Sequence, residues 1–152
     1  MNGRRIASLT RRARTPQAGQ ALVEFSIAII VFLLLLMGIV DMGRGIYAYN
    51  GVSQAAREIA RVASVHPGST LGSSAQVTGV VATQQRLVPG LGTPAFACVD
   101  ITGATVSGTC RRGDWVRVQI SAPWAPVTPL LGLTGTWSFA STTTMRIEVI
   151  LQ

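Results

Sequence analysis

The sequence predicts an α+β chain: a long N-terminal helix, first apolar and then amphipathic, followed by a small antiparallel sheet domain. Three observations carry that expectation. The twenty positions 21–40 are all apolar or small except Glu24 and Ser26. A helical spacing of apolar residues then continues to about Val65. Beyond Gly90 the pattern changes to short β-type runs separated by Gly, Pro, Ser and Thr.

The apolar run comes first. At about 1.5 Å per residue, twenty helical positions span about 30 Å, the thickness of a bilayer's hydrocarbon core. The stretch Ile27–Met37 has no polar interruption, whereas a core helix of a small domain carries a polar stripe. A cleaved secretory signal fits less well. Such signals have apolar regions of about 7–15 residues closed by a small-x-small site. This run is longer and passes into Asp41-Met42-Gly43-Arg44.

Charge gives the orientation. The 152 residues carry a formal +7 from 13 arginines, with no lysine and one histidine. Arg4, Arg5, Arg11, Arg12 and Arg14 all precede the apolar run, and no acid lies among them. The other eight arginines against six acids leave only +2. The basicity is therefore local rather than a basic face, which argues against nucleic acid as a partner. A cationic cluster before an apolar span places the N-terminus in the cytoplasm. The expectation is a single-pass bacterial inner-membrane protein in contact with membrane lipid, its C-terminal domain periplasmic.

Past Val40 the helix becomes amphipathic. Ile46, Tyr49, Ala56 and Ala63 share one face, with Val52, Ala55 and Ile59 beside it. Arg57, Glu58 and Arg61 fall on the other, where Glu58 and Arg61 are spaced to pair. Asn50-Gly51 is a local weakness, since that pair favours turns. Pro67-Gly68 should end the helix. Ser74 is placed to cap a second helix over Ala75–Leu87, ended by Pro89-Gly90.

Strands are expected at Phe96–Ile101, near Thr105-Val106, at Trp115–Ala122 and at Trp137–Ile150; RVQIS at 117–121 alternates polar and apolar residues. Pro123, Pro126 and Pro129 argue against regular structure in the connection at 124–135. Its Leu130, Leu131 and Leu133 either cover the sheet core or dock on membrane or partner.

The two cysteines, Cys98 and Cys110, read as a hairpin disulfide if the domain lies outside the cytoplasm. One histidine, His66, and six scattered acids leave little from which to build a triad or metal centre, so neither enzyme activity nor a metal or cofactor is expected. Asp100 and Asp114 read as turn or surface residues, and Trp115, Trp124 and Trp137 as core or interface anchors.

Glu24 is the unusual residue, because a carboxylate inside an apolar span is costly. It can snorkel to the headgroups or sit protonated. Its setting offers another reading. In GQALVEF at 19–25, Gly19 and Gln20 follow an Arg-rich leader, and Glu24 stands at the fifth position after Gly19. This resembles the processing site of type IV prepilins and pseudopilins. The resemblance implies cleavage between Gly19 and Gln20 by a prepilin peptidase, with Glu24 compensating the new α-amine, its own or a neighbour's.

Residues 19–64 as a whole resemble the N-terminal segment of TadE-like proteins, minor pseudopilins of tight-adherence (Flp-type) pilus systems. The elements that carry the resemblance are Val23-Glu24-Phe25, the leucine run, Asp41-x-Gly43-Arg44, Tyr47-Ala48-Tyr49-Asn50 and Ala55-Ala56-Arg57-Glu58. The resemblance implies a pilin-like architecture and a role in pilus assembly rather than catalysis. Implied partners are the peptidase, other pseudopilins, Flp pilin and the inner-membrane pilus platform. The expected organisation is a basic cytoplasmic leader at 1–19, a span continuing into an external amphipathic helix at 20–66, and a periplasmic α+β domain at 67–152. The competing expectation is a membrane-anchored periplasmic binding or adhesive domain unrelated to pili.

Overall fold

A computed structural model of the chain describes residues 17–66, 70–107, 110–127 and 135–148. The basic leader through Pro16, the Pro67-Gly68 stop and the leucines at 130, 131 and 133 lie outside the described residues. Five elements follow in order: α1 (Gln17–Val65), α2 (Ala75–Leu87), β1 (Ala95–Val99), β2 (Trp115–Trp124) and β3 (Trp137–Arg146). The chain forms two compact units, Met1–Met37 and Gly38–Gln152.

In the first unit the side chains of α1 from Gly19 to Met37 are exposed, apart from the half-buried Ile29. Among the described residues α1 is the one helix long and apolar enough to cross a membrane. The Ser26 hydroxyl donates to the Leu22 carbonyl at 2.7 Å, so this polar group within the run is satisfied inside the helix.

The second unit is a helix-on-sheet core. Val52, Ala55, Ala56, Ile59, Ala60 and Ala63 of α1 are fully buried. Their spacing of three and four residues makes one stripe, and its alanines let the helix lie close to the sheet. The sheet is antiparallel in the order β1-β2-β3. Val116, Val118, Ile120 and Ala122 of β2 turn to the core, joined by Cys98, Ile147 and Val77 of α2. Ser74 caps α2: its hydroxyl oxygen accepts from the Val77 N–H at 3.3 Å and donates to the His66 carbonyl at 2.8 Å. Glu58 and Arg61 form the expected pair, two hydrogen bonds of 2.6 and 3.0 Å. The guanidinium holds the exposed Glu58 carboxyl below its ordinary pKa.

Both helices have the expected extents, and Asn50-Gly51 interrupts nothing. A glycine is in fact suited to position 51, where an added Cβ would come within 3.3 Å of Val88. All four strand expectations need correction. β1 is Ala95–Val99, because Asp100 turns the chain: its carboxylate accepts from the Thr102 and Ala104 N–H groups. The expected strand near Thr105-Val106 is a single bridge from Thr105 to Val99. β2 runs through Pro123 to Trp124, two residues further than proline chemistry suggested. Gly92 donates to the Ser121 carbonyl on the side of β2 away from β3. Pro123, two residues on, directs its missing N–H to that same side, past the end of β1, so no rung to β3 is lost. β3 ends at Arg146, where Ile147 instead exchanges backbone bonds with Gly113 and Asp114.

Candidate functional site

The residues singled out from the sequence fall into two groups. Gly19, Gln20, Val23, Glu24 and Phe25 lie on the exposed first turns of α1. Val23 and Phe25 are 59% and 65% exposed, and nothing stands within 4 Å of where a Cβ on Gly19 would be. Gly19 and Glu24 are five residues apart, about 7 Å along a helix. Both groups that a processing enzyme and a neighbouring amine would need to reach are therefore accessible on this helix.

The second group gathers where the apolar run ends. Asp41, the first residue after Val40, is buried at 7% exposure. Its carboxylate accepts the Val127 N–H at 3.1 Å and pairs with the Arg44 guanidinium at 3.3 Å. A charge-assisted bond to a backbone N–H and a cation one turn away offset much of the cost of burying this acid. One turn on, Gly45 is buried: a Cβ there would sit 3.5 Å from the Trp124 indole. Phe139 lies against Trp124 at 5.8 Å between ring centroids, and Tyr49 meets Phe139 edge-on at 6.1 Å. The Trp124 Nε1 is buried without a hydrogen-bond partner among the described residues. Ala56 belongs to the core, whereas Gly43, Asn50 and Arg57 are exposed.

Beside this aromatic cluster opens a cleft of about 550 Å³, bounded by Arg44, Tyr47 and Gly51 of α1, by Val88 after α2, and by Pro123 and Trp124 of β2. Its lining is mostly apolar, with Arg44 as the charged member. A cleft of this size, with an apolar floor and one cation, suits an amphiphile or an aromatic side chain. Among the described residues no cluster of three metal-ligating side chains occurs.

Sequence reasoning missed Gly45, Gly51 and the Asp41–Val127 bond. A signal for the glycines existed: Gly45, Ala48, Gly51 and Ala55 place small residues at helical spacing, the mark of close backbone approach. Nothing local in sequence links Asp41 to Val127, 86 residues away.

Cys98 and Cys110 are joined as a disulfide, with 5.6 Å between Cα atoms. Asp100 and Asp114 are turn residues. The Asp100 carboxyl is held below its ordinary pKa by the Thr102 hydroxyl and by the backbone N–H groups it accepts. The Asp114 carboxylate accepts the Arg111 N–H at 2.7 Å.

Compared with known proteins, residues 19–61 match the family model described as TadE-like protein. That match associates the chain with Tad pilus systems and with a membrane-anchor helix. No curated protein and no solved structure matches the chain.

Proposed function

We propose that this chain, TadE-like over residues 19–61, is a minor pseudopilin that takes part in assembling a tight-adherence pilus and catalyses no reaction itself. It is anchored in the inner membrane by the apolar part of α1, N-terminus inside and sheet domain outside. The observation that carries the reading is one continuous segment. Gly19, Glu24, the apolar run and the Asp41–Arg44 pair follow one another on a single helix, and the family match covers all of them. Prepilin peptidase cuts between Gly19 and Gln20. The apolar helix stays in the bilayer, and its new N-terminal amine is balanced by Glu24, in the same chain or in a neighbouring subunit. Other pseudopilins, Flp pilin and the membrane platform are the partners this reading requires.

N-terminal sequencing of the protein from membranes tests the processing step. A mature start at Gln20 is expected, and Gly19→Val should leave the leader attached. A start at Met1 or Gly43 would sink the claim. Glu24→Ala should be cut normally yet abolish surface pili. Intact piliation in that variant would favour a tethered binding domain, a reading for which the cleft beside Trp124 is the supporting observation.

A further inference from the structure

The second unit carries its own ruler for depth. Val40 ends the apolar run, and α1 rises about 1.5 Å per residue from there. Asp41 is the next residue, and the Val127 N–H lies 3.1 Å from its carboxylate. The tip of the chain leaving β2 is therefore held level with the end of the run. The Trp124 indole lies against Gly45, five residues past Val40 and so about 7 Å beyond it. Trp137 pairs with Trp124 in the sheet and occupies the same end.

The headgroup region on each side of a bilayer is about 5–8 Å deep, and an average helix tilt of about 20° shortens these depths by under a tenth. Val127 therefore falls at the hydrocarbon boundary, and Trp124 and Trp137 fall among the headgroups, the zone tryptophan prefers. The exposure pattern agrees. Val127 is 70% exposed and Trp137 is 52% exposed, and on α1 Met42, Ile46 and Tyr47, within two turns of Val40, are exposed as well. Large apolar and aromatic side chains left exposed this close to the end of the run suit lipid better than water. Arg44, the cation of the cleft, stands where phosphate groups would be. The other end of the sheet carries charge in its turns, Asp100, Arg111, Arg112 and Asp114, with Ile101 an exposed apolar side chain among them.

We infer that this end of the sheet, Trp124 to Val127 with Trp137, is a second membrane contact. It rests in the headgroup layer next to the end of the apolar run. The occupant of the patch is phospholipid. This inference rests on the anchored reading proposed above.

Tryptophan quenching tests it. The full chain is reconstituted in phosphatidylcholine vesicles carrying a nitroxide on the acyl chain near the headgroup. Trp115, at the far end of β2 and about 30 Å from Trp124 at 3.3 Å per residue, is the internal control. With Trp124 and Trp137 quenched and Trp115 not, the quenched fraction is about two-thirds; Trp115→Phe should raise it towards one, and Trp137→Phe should lower it to about one-half, as expected for an interfacial indole. Trp137 is exposed, and the Trp115→Phe chain keeps it native, so the result does not depend on one variant folding. Alkaline carbonate washing of the same vesicles separates the two readings. A chain that resists extraction but shows no Trp137 quenching overturns the lipid contact alone. A chain stripped by carbonate overturns the anchor and the contact with it.

Discussion

Asp41 shows how one side chain sets the geometry of a junction. In the sequence Asp41 enters only as part of the Asp41-x-Gly43-Arg44 element after the apolar run. Buried, it holds the Val127 N–H and the Arg44 guanidinium together. Removing it takes the acceptor from the part-buried Val127 N–H, which costs about 0.5–1.5 kcal/mol. Asp41→Ala should therefore lower the melting temperature of the sheet domain in detergent, followed by near-ultraviolet circular dichroism of its tryptophans. Asp41→Asn keeps an oxygen for Val127 and should lose less. Equal losses from the two would mean that the ionic pair with Arg44 dominates, although that pair is half-exposed and worth little by itself.

At the scale of elements, the stripe Val52-Ala55-Ala56-Ile59-Ala60-Ala63 is what fastens α1 to the sheet. Ile59 and Ile120 are the largest side chains buried on the two faces. Ile59→Ala should destabilise the domain by about 2–5 kcal/mol by leaving a cavity, while Arg57→Ala, on the exposed side of the same turn, should cost little. Denaturant unfolding of both variants checks the contrast. Helix extents were legible because each end carries local chemistry: the Ser74 cap, Pro89-Gly90, and a stripe that stops at Ala63. Strand ends were less legible, because a distant partner settles them. Pro123 reads as a breaker, yet it sits in β2 because β1 has already ended on the side where its N–H is missing. Ile147 has strand chemistry but bonds to the turn at Gly113 and Asp114.

For the molecule as a whole, composition already divided the chain into an apolar helix and a Gly/Ser/Thr-rich sheet domain, and the α+β architecture follows that division. The cleft beside Trp124 was invisible in sequence, because its walls come from three segments that meet only after folding. The disulfide bears on the timing of biogenesis. Cys98 and Cys110 leave the ribosome as thiols, and the cytosol keeps them so. On the anchored reading proposed above, the bond closes once the domain has crossed into an oxidising compartment, so each molecule would record in its sulfur atoms whether export was completed. Maleimide labelling of cells lysed in denaturant reads that record: chains with an exported domain should resist the label until reductant is added, and chains caught with the opposite topology should take up two labels at once.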